Sequence, residues 1–291
     1  MGRSKSRNKG SKRKKKSADQ RRYQQVSRQA PSAASGGVPE PTPEYLDKAS
    51  IPPTKWTDPE PKKLLVVIDL NGTLLYRPKG KGHAFIAREG ASAFLLRCIE
   101  NYSTVIWSSA QTVNVTAMLE KLLEPPQRAR LLAVWTRDNF GLTKADYVQR
   151  IMCYKRLTKL WEDETISAQG SWDQSNTVLI DDSAEKARSE PFNTITLPEF
   201  VGKKEQREVL RIAREFLATL AQQRDVSAYL RIVNFDMFAA SFKKGREVEP
   251  VLEGVRLKEE PEVEGSRVNE DLMDESMDDS MDVSMDEGDS E

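Results

Sequence analysis

Several residue types that carry common enzyme chemistry are scarce in this chain. Its 291 residues include one histidine, His83, and two cysteines, Cys98 and Cys153. A single histidine leaves no multi-histidine zinc site and almost no mechanism that needs a histidine base. Two cysteines without paired spacing or a secretory signal predict a reducing compartment and no disulfide framework. Candidate chemistry must therefore come from carboxylates, hydroxyls and lysines.

Long apolar runs and a net charge are absent as well. No apolar stretch reaches the roughly 18 residues of a membrane-spanning helix, so we expect no transmembrane segment. The formal net charge is zero, with 45 basic and 45 acidic residues. That balance hides a polarised chain, because residues 1–22 hold eleven Lys/Arg and one Asp, whereas residues 259–291 hold fifteen Asp/Glu and one Arg. Charge separated in this way is typical of interaction tails.

Composition predicts one domain between two tails. We expect residues 1–55 to be a disordered basic tail and linker, residues 56–240 to be globular, and residues 241–291 to be a disordered acidic tail. The basic cluster KRKKK at 12–16 favours nuclear import or nucleic-acid contact, and a solubilising tail is the alternative. We therefore expect a nuclear protein, with mitochondria or the cytoplasm as alternative locations, and a monomer.

Short apolar runs alternate with helical patterns through the middle of the chain. The predicted strands are 64–68, 103–107, 131–135, 176–180 and 194–197. The predicted helices are 90–101, 112–123 and 205–223, with a partly helical stretch at 146–160. Strands that alternate with helices predict βαβ units and a parallel sheet, hence an α/β fold.

Polar side chains follow three of the predicted strands. Asp69 ends the run LLVVID, Ser108 ends VIWS, and Asp181 and Asp182 end VLIDD, while Lys155 lies between the third and fourth strands. The carboxyl ends of parallel strands meet at one edge of a sheet, where α/β proteins bind ligands. Carboxylates, a hydroxyl and an ammonium suit phosphoryl transfer, and Mg²⁺ prefers one or two carboxylates plus substrate phosphate.

At this point the sequence resembles a known family. The segment Asp69-Leu70-Asn71-Gly72-Thr73 resembles the first motif, Asp-x-Asp-x-Thr, of the FCP/SCP (NLI-interacting-factor-like) branch of the haloacid dehalogenase superfamily. Ser108, Lys155 and the acidic pair in VLIDDS resemble the later motifs, and Arg88-Glu89 stands where the family has Arg-Pro. The resemblance covers about residues 62–235. It implies a three-layer sandwich around a central, mainly parallel sheet.

The resemblance also implies roles for individual residues. Asp69 would attack phosphorus and form an aspartyl-phosphate, with Ser108 and Lys155 steadying the transferred group. Mg²⁺ would be held by Asp69, the backbone carbonyl of Asn71 and Asp182, and Asp181 would support the metal from behind. The implied substrate is a phosphoserine or phosphothreonine protein.

One departure from the family pattern bears on activity. Asn71 replaces the aspartate that protonates the leaving oxygen and then activates water. An amide has no titratable proton, and general acid–base catalysis typically contributes about 10² to 10⁴ in rate. We therefore expect slow turnover, or a site that only binds phosphate, and the sequence leaves open whether the chain is an enzyme.

Two functions follow from this reading. The first is a Mg²⁺-dependent protein phosphatase weakened at Asn71. The second is a non-catalytic module on the same fold, either a nuclear scaffold or a protein similar to the presequence receptor of the mitochondrial Tim translocase. The Tim-like alternative expects a transit peptide and a transmembrane helix, and the sequence pattern predicts neither.

Overall fold

A five-stranded parallel sheet lies at the centre of this computed structural model, which describes residues 28–78, 84–203 and 208–245. The strands are β1 (Leu65–Ile68), β2 (Leu75–Tyr76), β3 (Ile86–Ala87), β4 (Ser103–Trp107), β5 (Ala133–Trp135), β6 (Thr177–Asp181) and β7 (Thr194–Thr196). The sheet order is β5-β4-β1-β6-β7, and β2 pairs with β3 in a separate antiparallel hairpin. The predicted parallel sheet is confirmed, and β1 is its middle strand.

The helices cover both faces of the sheet. They are α1 (Pro43–Ser50), α2 (Ala91–Asn101), α3 (Thr112–Leu122), α4 (Pro125–Arg128), α5 (Lys144–Val148), α6 (Thr158–Trp161), α7 (Glu164–Ser167), α8 (Glu208–Ala221), α9 (Val226–Ile232) and α10 (Phe235–Lys243). Short 3-10 helices span Ala33–Ser35, Arg137–Phe140, Ala184–Ala187 and Pro191–Asn193. In the part of the chain that the structure describes, none of these helices combines the length and apolar character needed to cross a bilayer.

Both faces of β1 are buried, and each faces its own hydrophobic core. Val66 and Ile68 belong to a core that α2, α3, α8 and α10 also build. Leu65 and Val67 point the other way, into a core that includes Phe140 and residues of α6 and α7. Side chains alternate along a strand, so an unbroken apolar run is what a doubly covered strand requires. The predicted three-layer arrangement is confirmed.

The chain between residues 28 and 55 packs against the domain, contrary to the expectation of a disordered linker. Both the backbone N–H and the hydroxyl of Ser32 donate to Asp146 Oδ2, at 2.8 and 2.7 Å. Thr42 caps the N-terminus of α1 by accepting from the Tyr45 N–H, and Arg231 Nε donates to the Ala49 carbonyl at 2.7 Å. The polar composition of this segment does not predict its packing, because the segment is held mainly by hydrogen bonds to residues that are distant in the sequence. Ordered structure therefore begins before residue 56.

The remaining element predictions differ from the structure mostly at their ends. The 131–135 strand begins at Ala133, and α10 continues to Lys243, three residues past the expected end of the domain. The 146–160 stretch forms α5 and α6 with an extended segment between them. Residues 1–27 and 246–291, which belong to the predicted tails at 1–55 and 241–291, and the histidine His83 lie outside the described residues.

Candidate functional site at the carboxyl edge of the sheet

Asp69 stands directly after β1, at the carboxyl edge of the sheet. Its backbone N–H donates to the Ile180 carbonyl at 2.9 Å, which holds it beside β6. Because β1 is apolar on both faces, it stays covered up to its last residue and delivers a carboxylate that is only 1% exposed. The structure thus places Asp69 at the strand end where the sequence pattern predicts it.

Two further carboxylates meet Asp69 at this edge. Asp181 is the last residue of β6, and Asp182 follows it. One oxygen from each of Asp69, Asp181 and Asp182 lies within 4.8 Å of the others. Asp69 and Asp181 are fully buried, whereas the side chain of Asp182 is 16% exposed and forms the outer side of the cluster. The structure thus brings together the three carboxylates that the sequence pattern places at this edge.

Lys155 lies behind the carboxylates and bridges two of them. Its ammonium donates to Asp69 Oδ1 at 2.8 Å and to Asp181 Oδ2 at 2.5 Å. The residue belongs to the extended segment between α5 and α6, and its backbone N–H donates to the Lys186 carbonyl at 2.7 Å. Lys155 is completely buried, so its ammonium is held by these two carboxylates and not by solvent.

A second lysine, Lys186, enters the same cluster and was not among the predicted site residues. It lies in the 3-10 helix that follows β6, and its ammonium donates to Asp181 Oδ1 at 2.7 Å and Asp182 Oδ1 at 3.0 Å. It also reaches Asp69 Oδ2 at 3.5 Å. Lys186 follows Asp182 by four positions, a spacing that brings two side chains together only when the intervening chain turns back. The chain does so here, which the sequence alone did not reveal.

The opposing charges shift the pKa values of the cluster in different directions. Burial works to raise the pKa of Asp181, but the charges of Lys155 and Lys186 outweigh it and hold that pKa well below the usual range. Burial raises the pKa of Asp182, and its carboxylate neighbours add to the rise against the opposing effect of Lys186. Burial opposes the charge on Lys186, yet the three carboxylates raise its pKa above the ordinary value. Asp181 and Lys186 are therefore held charged.

The loop after β1 brings its backbone against Asp182. Gly72 has φ +93°, and a Cβ at this position would lie 2.7 Å from Asp182 Oδ2. Thr73 Oγ1 donates to Asp69 Oδ2 at 3.4 Å, so the loop also contacts the first carboxylate. Asn71 is exposed at the start of this loop, two residues beyond Asp69. Its backbone carbonyl remains a candidate metal ligand, as the sequence pattern predicts.

Ser108 occupies the same edge of the sheet without joining the charged cluster. It follows β4, whose Ile106 pairs with Ile68 of β1, and its N–H donates to the Trp135 carbonyl at 2.9 Å. Its hydroxyl accepts from the Ala110 N–H at 3.4 Å. Among the described residues it makes no hydrogen bond to a carboxylate or lysine of the cluster, so its hydroxyl proton is available to another acceptor.

Arg88 adds a third buried cation near the carboxylates. Its Nη2 donates to the Pro198 carbonyl at 2.5 Å, and its guanidinium lies 5.1 Å from the ring centre of Phe200. Within the described residues, its Nε and Nη1 are buried without a hydrogen-bond partner. Burial lowers the pKa of Arg88 to about 10, and the charge of Asp182 acts in the opposite direction. In the sequence, Arg88 stands out only as a motif position without a predicted role.

The donor set fits a hard divalent cation. Three carboxylate oxygens within 4.8 Å of one another are ligands that Mg²⁺ accepts. The same carboxylates, however, already share the ammonium of Lys186. These carboxylates can therefore hold Mg²⁺ only when this ammonium gives way.

The sequence profile of the NLI interacting factor-like phosphatase family matches residues 64–227, which include all the residues of this site. This chain belongs to that family. An uncharacterized FCP1 homology domain-containing protein from Schizosaccharomyces pombe is 34% identical over 178 residues, which are 57% of this chain and 71% of the relative. The resemblance to the FCP/SCP branch, with its haloacid dehalogenase-type domain, is thereby confirmed.

Two solved structures are similar at lower levels. Fcp1, an essential RNA polymerase II CTD phosphatase, is 16% identical with a TM-score of 0.34, over 62% of this chain and 64% of that chain. An uncharacterized protein from Listeria monocytogenes serotype 4b is 13% identical with a TM-score of 0.34, over 54% of this chain and 98% of that chain. Scores this low add nothing to the family assignment. The NLI interacting factor-like domain here thus spans less than two thirds of Fcp1.

Proposed function

We propose that this domain is an FCP-type phosphatase that acts slowly on phosphoserine or phosphothreonine of a partner protein. The observation that carries the proposal is the buried carboxylate of Asp69, bonded to Lys155 and grouped with Asp181 and Asp182. A carboxylate fixed in this way can attack phosphorus while an adjacent ammonium offsets the charge on the phosphoryl oxygens. Membership of a phosphatase family supports the same reaction class.

In the proposed reaction, an oxygen of Asp69 attacks phosphorus and the bond from phosphorus to the seryl or threonyl oxygen breaks. The aspartyl-phosphate then reacts with water, which releases inorganic phosphate and regenerates the carboxylate. Lys155 holds Asp69 in place and remains close to the developing charge, and the Ser108 hydroxyl donates to a phosphoryl oxygen. Mg²⁺ held by Asp69, Asp182 and the Asn71 carbonyl, with Asp181 in support, would neutralise phosphate charge.

Proton transfer limits the proposed reaction. The leaving oxygen needs a proton, and the attacking water must lose one, yet Asn71 can do neither. A substrate with an acidic leaving group, such as p-nitrophenyl phosphate, needs no proton for the first step but still needs an activated water for the second. We therefore expect one rapid equivalent of p-nitrophenol, followed by slow turnover.

This kinetic pattern gives the first test. Asn71→Asp restores an acid and base, and we expect it to raise steady-state turnover of p-nitrophenyl phosphate in Mg²⁺ by about 10² to 10⁴. Asp69→Asn, the matched control, should abolish both the burst and the turnover. A wild-type rate that Asn71→Asp does not improve would contradict the role assigned to Asn71.

A non-catalytic module is the second candidate, and the state of Asp69 favours it. Asp69 is 1% exposed, and both of its oxygens accept hydrogen bonds from within the protein. To attack phosphorus, Asp69 must exchange one of these hydrogen bonds for contact with the substrate, whereas a module that only binds phosphate needs no such exchange. If neither the wild type nor Asn71→Asp releases any p-nitrophenol, while a phosphopeptide still binds, a scaffold or phosphate reader is the better description.

We further propose a nuclear location, a phosphoprotein partner and a monomeric state. The basic cluster at 12–16 supports import, and the same positive charge supports contact with nucleic acid or import factors. One domain flanked by a basic and an acidic tail remains our proposed organisation, with the domain now beginning near residue 28.

A further inference from the structure

The ammonium of Lys186 lies among the same three carboxylates that form the candidate metal site. Its distances are 2.7 Å to Asp181 Oδ1, 3.0 Å to Asp182 Oδ1 and 3.5 Å to Asp69 Oδ2. We propose that Lys186 is a tethered competitor of Mg²⁺, an internal cation that must leave the carboxylates before the metal can bind. The inference takes from the proposed function only the identity of the metal ligands.

Geometry makes the two cations mutually exclusive. Mg²⁺ binds oxygen ligands at about 2.0 to 2.1 Å and tolerates little distortion. An ammonium that shares one oxygen from each of the three carboxylates stands where a metal bridging them would stand. Two cations in one buried site would also repel each other strongly, because burial weakens dielectric screening. Binding of Mg²⁺ therefore requires the Lys186 side chain to swing away.

The local charge balance favours the ammonium over a bare site. Three carboxylates together with Lys155 and Lys186 leave a single negative charge, and Arg88 acts on Asp182 from nearby. Without Lys186 the same group would carry two uncompensated negative charges in a buried position, which is costly unless a cation enters. Removal of Lys186 should therefore create a strong demand for a divalent ion.

The way Lys186 is held permits a side-chain movement without a change of fold. Its backbone is fixed, because its N–H donates to the Ser183 carbonyl at 3.2 Å and its carbonyl accepts from the Lys155 N–H at 2.7 Å. Its side chain is 6% exposed and contacts the partly exposed Asp182, on the solvent side of the cluster. A lysine on a flexible stem can turn its ammonium outward from such a place. Lys155, which is completely buried, has no such route.

Binding of Mg²⁺ to the full chain, without substrate, tests the inference. We expect Lys186→Gln to bind Mg²⁺ at least about tenfold more tightly than the wild type in titration calorimetry, since the competing charge is gone. Its melting temperature should rise with millimolar Mg²⁺, whereas that of the wild type should move little. Lys121→Gln, an exposed lysine of α3, is the control for the substitution itself and should behave as the wild type.

Lys155→Gln separates competition at one position from a general loss of positive charge. It also removes one cation from Asp69 and Asp181, but this cation lies behind the carboxylates, so the gain in Mg²⁺ affinity should be smaller than for Lys186→Gln. Equal gains in the two variants would overturn the inference. Equal affinity of the wild type and Lys186→Gln, or no binding by either, would overturn it as well.

The same experiment remains informative if a variant folds poorly. If Lys186→Gln unfolds in EDTA but folds when Mg²⁺ is added, the metal has replaced the lost ammonium, as we expect. If Lys186→Gln fails to fold even in Mg²⁺, Lys186→Arg provides the test, because it keeps the charge and enlarges the head group. Lys186→Arg must then fold, and it must bind Mg²⁺ no better than the wild type. Tighter binding by Lys186→Arg would contradict the inference. The phosphatase assay plays no part in these outcomes, so a failure of the proposed function is seen separately.

Discussion

At the scale of single residues, the tightest steric constraint of the site lies at Gly72. It combines a positive φ with a carboxylate oxygen in the space where a Cβ would stand, 2.7 Å away. Its N–H donates to the Leu75 carbonyl at 2.7 Å, and its carbonyl accepts from the Phe200 N–H at 2.7 Å. The loop is therefore fixed on both sides of the glycine. A side chain at position 72 must displace Asp182, because the hydrogen bonds on both sides of Gly72 prevent the backbone from moving.

Gly72→Ala tests this constraint against a matched change at Gly90. Both glycines have positive φ, +93° and +79°, but a Cβ at Gly90 would meet nothing within 4 Å. Left-handed backbone costs roughly 1 to 2 kcal/mol for a residue with a Cβ, so each variant should lose about that much in urea unfolding. Gly72→Ala should lose at least about 1 kcal/mol more, because overpacking adds to the strain. Equal losses would show that Asp182 moves aside freely.

At the scale of elements, the segment from residue 28 to α1 belongs to the domain. Tyr45 of α1 stacks on Phe192 with ring centres 6.3 Å apart, and its hydroxyl is buried. That hydroxyl donates to Asn193 Oδ1 and accepts from the Phe192 N–H, each at 2.9 Å. Burial raises the pKa of Tyr45 far above its usual value, and only the weaker effect of the Phe192 bond opposes the rise. Helix α1 is thus attached to the chain that leads from β6 to β7.

Tyr45→Phe keeps the ring stacking and removes the two hydrogen bonds. We expect it to lower the free energy of unfolding by about 1 to 3 kcal/mol, because the buried Asn193 Oδ1 and the partly buried Phe192 N–H each lose their bond to the Tyr45 hydroxyl. Tyr147→Phe is the control, since its hydroxyl bonds Asp138 in an exposed position and its loss should cost less than about 0.5 kcal/mol. If both changes lower the free energy of unfolding equally in urea, the buried hydrogen bonds of Tyr45 do not stabilise the contact of α1 with the domain.

At the scale of the whole molecule, charge is distributed by position along the chain. The basic excess lies in residues 1–22 and the acidic excess in residues 259–291, on either side of the family domain at 64–227. Separated charges of this kind act on partners through long-range attraction, which salt weakens. We therefore expect the tails to act on location and binding, and the domain between them to carry the proposed chemistry.

Removal of residues 1–22 tests the location. Fused to a reporter too large to diffuse through nuclear pores, the full chain should accumulate in the nucleus, and the truncated chain should lose that accumulation. Replacement of KRKKK at 12–16 by alanines should have the same effect as the truncation, because import factors read the basic cluster. An unchanged distribution of both variants would remove the basis for a nuclear assignment.

The sequence by itself determined the parallel sheet and most of its site. A short unbroken apolar run bounded by turn residues, such as the one before Asp69, favours a strand covered on both faces, and parallel pairing of two such strands brings Asp69 and Asp181 to one edge. Asn71 could likewise be read directly, because the loss of a titratable proton is a property of the residue and not of its surroundings.

Only the tertiary structure decided the rest, because it depends on contacts between residues without a local signal. The segment at 28–55 is polar and reads as a linker, yet hydrogen bonds such as those from Ser32 to a residue 114 positions away hold it on the domain. Lys186 reads as a surface lysine until the chain after β6 turns it back onto the carboxylates. Only folding brings Lys186 next to Asp69. The tertiary structure therefore determines which cation Asp69 can bind.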